Sequence, residues 1–228
     1  DNTLILFLSY NAAGDEYLSW FRFVERKEGL PYLRAFQPMA PDERQTQMFP
    51  AQTRDGFPVL IMNQEVMAGG DKSYHAYGRA WANVSNTPFR EYKHWVHEGG
   101  IATPLIAHWP DVIEDRNQLR HQPSYVIDII ATLVEIADAE YPRQFRGNSI
   151  TPMEGESLLR TLIRNQGLER EALYFEHEGN RAVRTGQWKL VSKAYDDAGV
   201  FRKADVIDLD QWELYNIESD RTEMVDLA

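Results

Sequence analysis

Two short, almost wholly apolar runs stand out along the chain. Residues 3–9 and 103–109 contain no charged residue, which is typical of strands buried on both faces inside a parallel sheet. Such strands need neighbouring strands and covering helices, and the two runs lie far apart in the chain. The pattern therefore predicts that residues 1 to about 140 are the second half of an α/β domain whose first strands precede residue 1.

A helical pattern follows the second run. Pro123 suits a first helical turn and Tyr141-Pro142 closes the segment. The apolar residues at three- and four-residue spacing are Val126, Ile127, Ile130, Leu133, Val134 and Ala137. Residues 146–155 are linker-like, and a short helix is predicted over 156–165. Another short helix is predicted over 17–27.

The pattern changes to short alternating segments after residue 171. Glycine-containing turns at 178–180 and 185–186 separate them, which indicates antiparallel strands. The segments predicted as strands are 173–177, 181–184, 187–192 and 212–216. We therefore expect three parts in the chain: 1–142 in the α/β domain, 143–170 as a linker with a short helix, and 171–228 as a small antiparallel-sheet subdomain.

Residues 69–100 combine many aromatic and polar side chains with a glycine pair at each end. The stretch is too irregular for one helix or strand, and it is predicted to be a long structured loop. Long ordered loops in compact domains often carry function.

Composition narrows the classes of protein. The 228 residues are 43% hydrophobic and carry a formal charge of −11, so the chain can bury a core and a strongly basic nucleic-acid binder is excluded. No apolar run reaches the roughly 20 residues that span a bilayer, and the first residues lack a signal-peptide pattern. The absence of cysteine excludes disulfides, thiolate metal sites and a cysteine nucleophile within these residues.

Three polar clusters are candidates for chemistry, because the phosphate-loop, dinucleotide, nucleophile-elbow and zinc-protease motifs are missing. Residues 9–11 follow a predicted buried strand, where α/β sheets place ligands, and the Asn11 amide can help to bind a hard cation. Residues 86–101 set Lys93 among aromatic rings before Gly99-Gly100. Residues 176–181 lie at a predicted hairpin tip. Each cluster also has a purely structural interpretation as a turn or solvated loop.

The second cluster resembles the sulfatase family, arylsulfatases in particular. The resemblance rests on residues 83–93, reading Asn-Val-Ser-Asn-Thr-Pro-Phe-Arg-Glu-Tyr-Lys, and on 98–106, reading Glu-Gly-Gly-Ile-Ala-Thr-Pro-Leu-Ile. Further segments fit the family in the same order: 1–9, 145–147 with 155–158, 177–184, 188–190 and 212–216. The resemblance implies the carboxyl-terminal part of an alkaline-phosphatase-like sulfatase domain, followed by a small antiparallel sheet with a helix.

Sulfatases hydrolyse sulfate esters with a formylglycine nucleophile, made from a C/S-x-P-x-R motif, and a calcium ion. The resemblance implies that Lys93 is the catalytic lysine that contacts the sulfate and that Asn11 is a calcium ligand. It implies a sulfated small molecule or sulfated carbohydrate as substrate and, from the family's frequent export, a periplasmic or secreted location. His177 is a weaker candidate for substrate contact, and His94 and His97 are interpreted as structural or pocket-edge residues.

The sequence also departs from the family pattern. Tyr10 stands where the family has an aspartate that binds calcium, so calcium binding is expected to be weakened or lost. No C/S-x-P-x-R motif is present, so the formylglycine would come from a missing amino-terminal half and this chain alone is expected to be inactive. The alternatives are a non-catalytic, degenerate sulfatase-like module and another branch of the alkaline-phosphatase-like superfamily, such as a phosphodiesterase.

Overall fold

The computed structural model describes residues 2–9, 11–16, 36–47, 49–62, 67–76, 78–194 and 212–228. The chain divides into two compact units. Unit 1 comprises Asp1–Asn11, Ala102–Asp220 and Val225–Ala228, and unit 2 comprises Ala12–Ile101 and Arg221–Met224. These units are divided differently from the three parts expected from the sequence, whose boundaries stay a prediction.

The described residues form short helices and short strands. In chain order they are β1 (Ile5–Leu8), β2 (Leu60–Ile61), β3 (Ser73–Tyr74), α1 (Gly78–Asn86), α2 (Glu98–Ile101), β4 (Leu105–His108), α3 (Asp128–Ile136), β5 (Gln144–Phe145), β6 (Asn148–Ser149), α4 (Leu159–Arg164), β7 (Leu173–His177), β8 (Asn180–Thr185), β9 (Trp188–Ser192) and β10 (Trp212–Asn216). Among the described residues, no helix combines the length and the apolar character needed to cross a bilayer.

The two apolar runs form β1 and β4 of unit 1, but not as expected. The strands pair antiparallel, with Leu8 opposite Leu105, and one face of the pair is exposed: Ile5 by 55%, Phe7 by 70% and Ile106 by 58%. The expectation of strands buried on both faces of a parallel sheet is therefore wrong for the described residues. Both faces of the strand pair are apolar in sequence, but no described element of unit 1 covers the face that carries Ile5, Phe7 and Ile106.

A helix is present where it was predicted after Pro123, but α3 begins at Asp128 and ends at Ile136, so Pro123 does not lie in its first turn. The Asp128 carboxylate accepts the N–H groups of Tyr125 (2.7 Å) and Glu156 (2.9 Å) and two bonds from the Arg170 guanidinium, at 2.7 and 3.1 Å. One turn later, the Thr132 hydroxyl accepts the N–H of Leu158. These side chains tie the start of α3 to the stretch before α4.

The small antiparallel sheet is present in unit 1. The strand order is β10-β9-β8-β7, and every neighbouring pair is antiparallel. Strands β7 and β10 have the predicted bounds. Glu178 and Gly179, both with positive φ (52° and 86°), form the two-residue turn between β7 and β8. Such backbone angles are the ones that a tight hairpin requires.

The stretch 69–100 is not one long loop, because α1 occupies Gly78–Asn86. Only Gly78 and Ala82 of this helix are buried, whereas Trp81 and Val84 are exposed. The segment has only two large apolar residues, Trp81 and Val84, which are too few to reveal a helical period in the sequence. Elsewhere, the short helix predicted over 156–165 is confirmed as α4, and the linker-like stretch contains part of the β5–β6 hairpin. The helix predicted over 17–27 lies outside the described residues.

Candidate anion site around Lys93

The Lys93 loop, residues 87–97, lies between α1 and α2 in unit 2 and folds back tightly on Gly99 and Gly100. The Gly99 N–H donates to the Arg90 carbonyl at 3.0 Å. A Cβ atom at Gly99 would lie 2.1 Å from that oxygen, and one at Gly100 would lie 2.1 Å from the Trp95 carbonyl. Glycine is therefore required at both positions for the loop to close, which explains the pair physically.

The backbone is bent on both sides of Lys93. Glu91 has φ 66° and His94 has φ 89°, and neither is glycine. Backbone strain of this kind costs on the order of 1–3 kcal/mol per residue and tends to accumulate at functional sites. Tyr92 and Trp95, next to these bends, are buried, so packing on either side holds the strained segment.

The segment 12–16 supports the loop from its other side. The Lys93 N–H donates to the Ala13 carbonyl at 3.1 Å. The Asn86 side chain accepts the Ala13 N–H at 3.1 Å and donates to the Glu91 carbonyl at 3.2 Å. Asn86 therefore links both segments. Asn86 lies in the sulfatase-like stretch 83–93, but no role for it was predicted from the sequence.

The Lys93 ammonium holds a carboxylate. Its Nζ lies 2.5 Å from Glu16 Oε1, and the two side chains are 34% and 41% exposed; His94 Nε2 is 4.0 Å from the same oxygen. Burial by itself would raise the pKa of Glu16, but the hydrogen bond from Lys93, helped by the charges of Lys93 and His94, lowers that pKa overall. The arrangement is a half-exposed ammonium, on a residue with a bonded backbone, that binds an anionic group.

The other predicted site residues lie in unit 1. Asn11 is half-buried at a bend three residues after β1, and Tyr10 is outside the described residues. His177 is the last residue of β7, with its side chain 52% exposed and Nε2 3.9 Å from Glu178 Oε2. In unit 2 the structure brings Lys93 together with His94 and Glu16. Glu16 was missed because an isolated acid in a mixed loop gives no sequence signal.

The surroundings of Asn11 do not by themselves fit a calcium ion. Calcium takes six to eight oxygen ligands, usually including carboxylates. Asn11 offers one neutral amide oxygen, its sequence neighbours Ser9 and Ala12 add no carboxylate, and the Ser9 carbonyl already accepts the Thr103 hydroxyl at 2.7 Å.

Comparison with known proteins identifies the class of this chain as sulfatase. Residues 90–228, more than half of the chain, match the family described as "N-sulphoglucosamine sulphohydrolase, C-terminal". The chain belongs to this family, as the sequence resemblance implied. The matching region contains Lys93 and Gly99-Gly100, together with the antiparallel sheet of unit 1.

Curated relatives of this chain are also named as sulfatases. An uncharacterized sulfatase of Schizosaccharomyces pombe is 24% identical over 231 residues, which cover 100% of this chain and 35% of that protein. The N-acetylgalactosamine-6-sulfatase of Mus musculus is 32% identical over 105 residues, covering 46% of this chain and 19% of that protein. The chain thus spans about a third or less of the length of these curated relatives.

Solved structures are also similar to this chain. A sulfatase from Pseudoalteromonas has a TM-score of 0.46 and 19% identity, covering 70% of this chain and 30% of that one.

Proposed function

We propose that this chain is the carboxyl-terminal portion of a sulfuric ester hydrolase and carries the lysine that holds the sulfate group. The observation that carries the proposal is the Lys93 ammonium, bonded to the Glu16 carboxylate at 2.5 Å, on a residue whose backbone N–H bonds to the Ala13 carbonyl. Membership of a sulfatase family supports the same assignment. A cation that holds a carboxylate oxygen can hold a sulfate oxygen in its place.

The chemistry expected of Lys93 is electrostatic. When a sulfate ester is cleaved, negative charge spreads over the sulfate oxygens, and a cation held in advance stabilises the charge without reorganising. Glu16 then serves as the anion that occupies the ammonium until substrate displaces it. The nucleophile is not among these residues, which contain neither cysteine nor the C/S-x-P-x-R pattern. We propose that a formylglycine comes from outside this sequence.

We propose that Asn11 supplies one oxygen ligand to a calcium ion, with carboxylates from outside these 228 residues completing the site. The family resemblance implies an aspartate ligand where Tyr10 stands, and a neutral phenol in its place is expected to weaken calcium binding.

We propose a sulfated carbohydrate as the substrate class. The names of the matched family and of the mouse relative both specify sulfated amino sugars. We also propose that His177, an exposed residue at the end of β7, contacts the substrate. An aryl sulfate is the second candidate, because an arylsulfatase of Klebsiella aerogenes is 32% identical over 91 residues.

The complete protein that contains this sequence should be assayed with its maturation system. We expect release of inorganic sulfate from a 6-sulfated amino sugar or from an aryl sulfate, and at most slow release of the phenol from an aryl phosphodiester. Faster cleavage of the diester would favour a phosphodiesterase-like branch. Binding of the sulfated sugar without any turnover would favour a non-catalytic module, the reading that Tyr10 supports.

The Glu16→Gln variant is expected to bind sulfate esters more tightly, because the carboxylate that competes for Lys93 is gone. An exposed ion pair contributes up to about 1 kcal/mol, so KM should fall about two- to fivefold. The lowered pKa of Glu16 means that the pair exists above the ordinary carboxyl pKa and is lost as pH falls through the lowered value. The difference in KM between the wild type and Glu16→Gln should therefore vanish in acid.

Asp15→Asn is the matched control, because it removes the same charge one residue away, where the carboxylate faces Arg79 at 3.8 Å. Steady-state kinetics from pH 8 down to about pH 3 measure the effect, because the pKa of Glu16 lies below its ordinary value. A rise in KM for Glu16→Gln would instead show that Glu16 holds Lys93 in place for substrate.

A further inference from the structure

The anchor segment, Arg221–Met224, lies close to the end of the sequence but belongs to unit 2. The residues on both sides of it, up to Asp220 and from Val225 onward, belong to unit 1. The segment bonds to residues that precede it by 125 and 133 positions. These residues are the two ends of the strained, closed backbone that carries Lys93.

Glu223 bonds to the chain before and after Lys93. It is fully buried, and its Oε2 accepts the Glu98 N–H at 2.7 Å, at the first residue of α2. Its backbone carbonyl accepts Arg90 Nη1 at 2.8 Å. Arg90 lies three residues before Lys93 and Glu98 five residues after it. One residue therefore closes the loop from outside, next to the Gly99–Arg90 bond that closes it from within.

Arg221 gives the anchor segment a second attachment. Its guanidinium lies 5.2 Å from the centre of the Phe89 ring, and its Nε is 3.5 Å from Glu98 Oε2. Glu98 is only 2% exposed, and a buried carboxylate needs such a partner. Both attachments fall on the segments that flank Lys93, so loss of the anchor segment would release both of them.

We propose that Glu223 is a positioning residue for Lys93, an inference that rests on the proposed role of Lys93 in binding sulfate. The Glu223 carboxylate does not need to meet substrate. It accepts the Glu98 N–H, and the Glu223 backbone carbonyl accepts a bond from Arg90. Together these two bonds hold the backbone on both sides of Lys93 and so determine the position of its ammonium. A displacement of about 1 Å of a group that orients substrate can cost about a hundredfold in rate.

The test compares Glu223→Ala and Glu223→Gln in the complete protein. Alanine removes the acceptor of the Glu98 N–H, and kcat/KM is expected to fall about ten- to a hundredfold per folded molecule. Glutamine keeps a side-chain oxygen and is expected to restore most of the activity. Thr132→Val is the matched control, because it removes a buried side-chain acceptor of one backbone N–H in unit 1. It should lower stability but not kcat/KM.

Hydrogen exchange gives a readout that does not depend on activity. In Glu223→Ala, the amides of Glu98 and Gly99 are expected to exchange at least about tenfold faster than in the wild type, whereas Thr132→Val leaves them unchanged. Unchanged exchange in Glu223→Ala, or unchanged kcat/KM, would overturn the positioning role. A wild-type protein that releases no sulfate while Glu223→Ala accelerates exchange would refute the proposed enzyme activity and retain the structural control of the loop.

Discussion

Replacing Lys93 by methionine in the complete protein is expected to lower kcat/KM for sulfate ester hydrolysis about a hundred- to a thousandfold. This is the usual cost of removing one group that stabilises developing charge in a transition state. The fold should survive, because the Lys93 side chain is 34% exposed and its backbone bond to Ala13 is kept. Lys93→Arg keeps the charge with a different geometry and should recover only part of the activity.

Lys72→Met is the control for this prediction. Lys72 is an exposed lysine of unit 2, whose ammonium lies 3.8 Å from the centre of the Phe57 ring. Its replacement changes the net charge equally and should leave kcat/KM unchanged. Equal activity of Lys93→Met and wild type would remove Lys93 from the chemistry.

Asp128→Ala is expected to destabilise unit 1 by about 3–5 kcal/mol, the usual cost of breaking a buried ion pair from one side. The side chain is fully buried. Its removal takes two bonds from the Arg170 guanidinium, which keeps its bond to the Glu156 carboxylate, and leaves the N–H groups of Tyr125 and Glu156 without this acceptor. The midpoint of urea unfolding, followed by circular dichroism, measures the loss.

Glu156→Gln is the matched control, because Glu156 also bonds to Arg170 but is 41% exposed, and it should cost at most about 1 kcal/mol. Burial tends to raise the pKa of Asp128, yet the bonds from Arg170 and from two backbone N–H groups lower it. Its stabilisation is therefore complete above the ordinary carboxyl pKa and is lost as pH falls through the lowered value. The gap between wild type and Asp128→Ala should narrow in acid, and a constant gap would contradict this account.

The sequence predicts elements well where local pattern and burial agree. The strand 173–177 was found with its predicted bounds because alternation and a glycine turn fix its hairpin locally. The strand 212–216, which no tight turn joins to its partner β9, was found from its sequence pattern alone. Helix α1 was missed because its two large apolar residues, Trp81 and Val84, are too few to reveal a helical period. The antiparallel pairing of β1 with β4 could not be predicted, because an apolar run does not specify the direction of its partner strand.

The candidate site also contains some residues that the sequence revealed and others that it could not reveal. Lys93 and the glycine pair could be singled out because they lie together in one motif. Glu16 and Glu223 could not, since each reaches the Lys93 loop only through the fold, across 77 and 125 positions. Tertiary contacts of single acidic residues leave no periodic signal in one sequence.

The most direct measurement is a crystal structure of the complete protein with bound inorganic sulfate or a slowly cleaved sulfate ester, giving the distance from Lys93 Nζ to the nearest sulfate oxygen. We predict a hydrogen bond of about 2.7–3.2 Å, with Glu16 displaced from the ammonium. A sulfate bound elsewhere, with Lys93 still bonded to Glu16, would contradict the assignment of Lys93 as the sulfate-binding residue.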